Sequence, residues 1–221
     1  VHSNVALSSK GLFGETTAII DRCIFESAIK IIWLCEQPLQ ENFTRYLADG
    51  LRTELELKSE IESRIEARGG KTLPIEVRML KSISNHILAA ELTETDITSA
   101  KKLPNIASMI SSAGLSRLSY VVSQRLGSHH VHGTWPSLLF HYLEEKEGAA
   151  GVRFALRDHD CPTHINQFMS VSRILLRATS AYVKYAIADR NYSQAFDDVL
   201  KSTRDEIMRI FTEAKGGNLG N

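Results

Sequence analysis

The sequence predicts an all-α fold: one helical-bundle domain of about eight helices over residues 1–215, followed by a disordered tail at 216–221. Three observations predict it. Apolar residues recur at three- and four-residue spacing over long windows. Glycine and proline punctuate the chain at the edges of those windows. Strand-like character is confined to one short piece, Val152–Leu156.

The elements follow in order. A first apolar helix spans about Glu15 to Glu36 and stops before Pro38. A second, about Leu39 to Arg68, alternates charge on one side and carries Leu51, Leu55, Leu57, Ile61 and Ile65 as its apolar stripe. Gly69-Gly70 is a strong stop for it, because a helix commonly ends on a left-handed residue that glycine adopts without penalty. Pro74 opens a third helix, Ile75 to Leu92. Thr93–Lys102 reads as a loop or a short helix capped by Thr95. Asn105–Ala113, closed by Gly114, and Ser116–Leu126, closed by Gly127, come next. Pro136 begins a helix to about Lys146, Gly148–Gly151 is a turn, and two helices finish the chain at about Thr163–Ala188 and Ser193–Ala214.

The 221 residues carry 26 Lys+Arg and 26 Asp+Glu, so no net field draws the chain to nucleic acid or to an anionic membrane. Cys23, Cys35 and Cys161 are odd in number and include no CxxC pair, which fits a reducing compartment. The stretch Ala18–Cys35 is the most apolar, yet it holds Asp21, Arg22, Glu26 and Lys30, which excludes an ordinary membrane helix. The N-terminus, Val1-His2-Ser3-Asn4, has no signal-peptide pattern. A cytoplasmic protein with no membrane partner is expected.

Arg22 and Glu26 stand four apart and share a helix face. Trp33 lies three turns beyond Arg22 on the same arc, with Ile19 and Ile29 flanking it. An ion pair between such neighbours belongs in an interior or a groove. There it serves either a network that holds helices in register or a functional site. A pair on the plain surface is the third reading.

The stretch Arg125 to Trp135 contains His129, His130 and His132, with His141 soon after. His-His-x-His offers imidazoles to zinc, but no HExxH and no cysteine pair accompanies it, so no metal is expected. Arg125 with His130 or His132 supplies the pieces of metal-free phosphate chemistry: a proton-moving imidazole and a cation for the phosphate. A structural reading has a histidine capping a helix end or bonding to the Arg22–Glu26 pair.

Two resemblances follow from these residues. Arg22-x-x-Phe25-Glu26 on the first helix, Leu103-Pro104, Gly114, Tyr120 and Ser128-x-x-x-His132-Gly133 resemble a family of bacterial all-helical proteins of unknown function, over about Ala18 to Tyr142. The resemblance implies that Arg22, Glu26, Tyr120, Ser128 and His132 converge in space. More distantly, Arg125 followed by His130 or His132 is similar to the signature of the HEPN superfamily of helical ribonucleases and nucleotide-binding domains. That resemblance implies metal-independent RNA cleavage, a site at a homodimer interface, and a toxin or anti-phage defence role. Leu126 stands where that family usually has Asn, Asp or His, and Gly127 interrupts the predicted helix.

No GxxxxGK[ST], GxGxxG or GxSxG is present, so no nucleotide loop or hydrolase elbow is expected, and no cofactor. Asp160 or Thr163 is a candidate cap for the helix that follows, and Cys161 with His164 a candidate nucleophile pair. Arg173, Arg177, Lys184 and Arg190, with Tyr182, Tyr185 and Tyr192, form either a basic–aromatic RNA-facing surface or an ordinary solvated face. The functional expectation is a metal-independent ribonuclease using Arg125 and His130 or His132, with Arg22, Glu26, Tyr120 and Ser128 as groove or orienting residues. RNA and a second copy of the chain are the expected partners. The alternatives are a non-enzymatic scaffold or sensor, and a small-ligand pocket roofed by Trp33, Tyr120 and Trp135.

Overall fold

A computed structural model describes residues 14–148, 151–156 and 165–217. Among the described residues the fold is all-helical apart from one two-stranded hairpin. In chain order the elements are α1 (Gly14–Glu36), α2 (Gln40–Ala67), α3 (Pro74–Ala89), α4 (Glu94–Ser99), α5 (Ile106–Ser112) and α6 (Arg117–Tyr120). A π-helix (Val121–Arg125), α7 (Leu126–Val131) and α8 (Trp135–His141) follow. Then come β1 (Leu143–Gly148), β2 (Gly151–Leu156), α9 (Ile165–Ala186) and α10 (Arg190–Gly217). Among the described residues, no helix is long and apolar enough to cross a membrane.

The chain divides into two compact units, one from Val1–Glu36 with Asn105–Asn221 and the other from Gln37–Pro104. Both divisions fall beside prolines, Pro38 and Pro104, where no α-helix can run on without losing a backbone bond.

In the first unit α1 is the central element. It packs most extensively on α9 and also meets α5, the π-helix and α7. Ile29, Ile32, Met109 and Ile110 are fully buried, and Ala28, Ala178 and Ala181 are buried beside them. Each large apolar side chain so placed contributes about 1.5–3 kcal/mol relative to exposure. Asp189 starts α10 by accepting from the backbone N–H groups of Asn191 and Tyr192, which moves its first residue from the expected Ser193 to Arg190. α10 continues through Gly217, past the expected start of the tail at 216; residues 218–221 lie outside the described residues.

The second unit is built from α2, α3 and α4. Its core is Ala48, Leu51 and Ile97, with Leu55, Ile87, Leu92 and Ala100 packed against it. Of the predicted stripe, Leu57 is exposed instead. Gly69 and Gly70 both have positive φ, and Gly70 N–H returns to the Ile65 carbonyl, so the predicted stop is made as expected. The short α4 is capped by Thr93, not Thr95. Thr93 Oγ1 accepts from Asp96 N–H while the Asp96 carboxylate accepts from Thr93 N–H.

Two local expectations are corrected. The helix predicted to run from Pro136 to Lys146 ends at His141, and Leu143–Gly148 pairs antiparallel with Gly151–Leu156. A lone strand at 152–156 would leave its backbone groups unpaired, and the segment across the turn supplies the partner. Helical backbone also continues through Gly127 to Val131. A glycine costs a helix interior only about 1 kcal/mol, which packing against α1 offsets.

Candidate functional site

The sequence motifs of the first unit meet along α1. Arg22 Nε donates to Glu26 Oε1 at 2.8 Å, with side-chain exposures of 18 % and 27 %. The pair is thus half-buried, as its neighbours on the helix wheel require. Arg22 Nη1 is itself buried and has no hydrogen-bond partner among the described residues. An unmet guanidinium N–H out of water is costly, and in native proteins such groups call for an explanation.

The helix that carries this pair packs against the π-helix and α7. The structure therefore brings the Arg22/Glu26 element and the segment from Val121 to Val131 into contact across about a hundred residues of chain. The π-helix is itself a signal, since these rare turns cluster at functional positions. Tyr120, on its N-terminal side, and Ser128, within α7, are half-buried.

Arg125 closes the π-helix and His130 stands on α7, so both lie on one continuous helical segment. Their side chains lie outside the described residues. His132 is exposed, just past the end of α7. His129 takes a helix-end role of the kind expected of His130 or His132. Its Nδ1 lies 2.7 Å from Thr134 Oγ1, and Thr134 N–H donates to the His129 carbonyl at 3.1 Å. His129 thus ties the end of α7 to the start of α8, around Gly133 at φ 54°. A histidine followed five residues later by a Thr at a helix start was the sequence signal for this.

Trp33, Tyr120 and Trp135 are not among the described residues that line a groove. Trp33 is buried in the core, and Trp135 is exposed and stacks edge-on against Phe154 at 5.3 Å. A concavity lies elsewhere in this unit. A groove of about 860 Å³ runs between α9, α10 and the α6–π segment, with Phe25, Leu118, Val122, Arg173, Arg177 and Lys201 among its walls. Sequence reasoning saw Arg173 and Arg177 as one face of a helix but had no signal for the wall opposite. The tyrosines Tyr182, Tyr185 and Tyr192 are exposed and do not line the groove.

Among the described residues, no three His, Cys, Asp or Glu side chains gather to hold a metal ion. Asp160, Cys161, Thr163 and His164 lie outside the described residues.

The architecture is helical, with an Arg–Glu pair on the central helix and the helix bearing Ser128 packed on it. Over residues 2–150 the chain matches a family of unknown function (DUF5677), and it belongs to that family. No curated protein and no solved structure matches it.

Proposed function

We propose that this protein cleaves RNA without a metal ion, in the manner of the HEPN-like ribonucleases it distantly resembles. Arg125 neutralises charge on the phosphate. His130 or His132 takes the proton from the attacking 2′-hydroxyl and returns one to the leaving oxygen. Arg22 and Glu26 orient the histidine or line a substrate groove distinct from the one between α9 and α10, with Tyr120 and Ser128 beside them. The working form on this reading is a homodimer in the cytoplasm, in a toxin or anti-phage role.

One observation carries the proposal. The helix bearing the half-buried Arg22–Glu26 pair packs on the continuous π–α7 segment that bears Arg125, Ser128 and His130. Arginine and histidine on one uninterrupted helix is the arrangement such chemistry needs, and the continuity through Gly127 supports it.

The test is cleavage of a mixed RNA by the purified chain in EDTA, beside Arg125→Ala, His130→Ala and His132→Ala. The expected result is cutting that survives EDTA and falls about a hundredfold or more in Arg125→Ala and in one histidine variant. Absence of cutting, or cutting that all three variants retain, overturns the proposal.

The alternative is a non-enzymatic scaffold, favoured by the His129–Thr134 bond, which uses one histidine of the cluster to hold two helices together.

A further inference from the structure

The groove of the first unit is cationic in a chain with no net charge. Arg173, Arg177, Lys184, Lys201 and Arg204 line it, against Asp197 and Asp198. The charges are not evenly spread, and the register of α9 on α10 shows why. Ser180 Oγ donates to Asp197 Oδ1 at 2.6 Å and Lys184 Nζ pairs with Asp197 Oδ2 at 2.8 Å. Asp198 accepts from Gln194 Nε2 at 2.9 Å. Both acids are therefore engaged at the end near the α9–α10 connection. In an antiparallel pair, moving back along α9 and forward along α10 brings Arg177 and Arg173 opposite Lys201 and Arg204. Among the described lining residues the charged groups at that end are cations, with Asp205 beside Arg204 and Glu36 beside Arg177 just outside the lining.

Two of these four are already occupied. Arg177 donates to the Ala113 carbonyl at the end of α5 and to Glu36, and Arg204 pairs with its neighbour Asp205 at 3.2 Å. Arg173 and Lys201 make no hydrogen bond or ion pair among the described residues. The facing wall is aliphatic, with Leu118 and Val122 both exposed toward solvent, and Ser119 and Ser123 alternate with them. Among the described lining residues Phe25 is the one aromatic ring, and it is buried, so these residues offer no stacking platform for a base.

We infer that this groove binds a small phosphomonoester with an aliphatic body, its phosphate between Arg173 and Lys201 and its carbon chain along Leu118 and Val122. A phosphomonoester carries about −1.5 to −2 charge at neutral pH, which two unpaired cations match. The volume lies within the range of small-ligand sites, about 300–1,000 Å³. Serine hydroxyls beside the aliphatic wall suit the ester oxygen or a hydroxyl on the body. None of the described lining residues is assigned to RNA cleavage, and the site does not rest on that reading.

Calorimetric titration of the full chain with hexyl phosphate tests it, at low salt, beside inorganic phosphate, hexanol, a five-nucleotide RNA and phosphatidylcholine vesicles containing phosphatidic acid. Hexyl phosphate is expected to bind more tightly than phosphate or hexanol. Arg173→Ala and Lys201→Ala, both at exposed positions, should each weaken it about tenfold or more, the scale of one charge-assisted hydrogen bond, with unchanged circular dichroism. Leu118→Ser should weaken hexyl phosphate and leave inorganic phosphate unaffected. Vesicle binding lost in the same variants assigns the phosphoester to a lipid headgroup, and hexyl phosphate binding without vesicle binding assigns it to a free metabolite. No binding of hexyl phosphate, binding indifferent to Arg173 and Lys201, or binding of the RNA alone overturns the inference.

Discussion

Arg68 Nη2 donates to both carboxylate oxygens of Glu76, at 2.5 and 2.6 Å, and so joins the end of α2 to the first turn of α3. Glu76 is buried, and its Oε2 also accepts from the backbone N–H of Leu73 at 2.8 Å. Leu73 has no side-chain acceptor for the first turn, and the glutamate three residues on makes the reciprocal half of a capping box, accepting from the Leu73 N–H and bringing Arg68 with it.

The bond predicts a pH dependence. The Arg68 guanidinium first, and the Leu73 N–H second, hold the Glu76 carboxyl below its ordinary value of 4.5. A depressed carboxyl binds its proton less readily folded than unfolded, so its stabilisation is complete above 4.5 and is lost as the pH falls through the lower folded value. Thermal melts of the wild type should show a Tm that drops below this range. Glu76→Gln should lower Tm by a few degrees at pH 7 and show a smaller drop on acidification. An unchanged pH profile would remove Glu76 from the account. Asp197, lowered by Lys184 and Ser180, adds a separate contribution of the same sign and keeps the variant's profile from becoming flat.

Glu26 is the acceptor that keeps Arg22 tolerable inside α1. Removing it in Glu26→Ala leaves a guanidinium that is 18 % exposed without its ion-pair partner. The expected loss is about 1–3 kcal/mol by urea denaturation, below that of a fully buried pair because both groups keep some contact with water. Glu26→Gln keeps an acceptor oxygen and should lose less. A neutral Glu26→Ala would show the pair to be an ordinary surface bridge.

The two described cysteines of α1 should label at different rates. Cys23 is exposed, whereas Cys35 is partly covered, and burial first and the neighbouring Glu36 second push its thiol above the ordinary value. Less thiolate at a given pH means slower alkylation. Iodoacetamide at pH 8, followed by peptide mass spectrometry, should modify Cys23 several times faster than Cys35. Equal rates would show that α1 opens on the labelling timescale.

Much of the fold was legible in the sequence. Pro38, Gly69-Gly70, Pro74 and Gly114 marked helix limits because their effects act within one turn of chain. The Arg22–Glu26 burial was legible for the same reason: Ile19, Ile29 and Trp33 fix the wheel of a single helix. The β1 strand was not legible, since Leu143–Gly148 is extended only because Gly151–Leu156 pairs with it. The continuation through Gly127 was also hidden, because α1 supplies the packing that overrides a glycine.

The sequence by itself determined that this protein is helical, where most helices begin and end, and which residues are chemically unusual: Arg22, Glu26, Arg125 and the histidines. These are properties of nearest neighbours and of helical periodicity. Only the tertiary structure decided that α1 lies against the π–α7 segment, that His129 spends its imidazole on Thr134, and that Arg173 and Lys201 face a groove with an aliphatic opposite wall. Each of these joins elements through packing between distant parts of the chain. Such contacts depend on which faces meet, and no local pattern of residues encodes that choice alone.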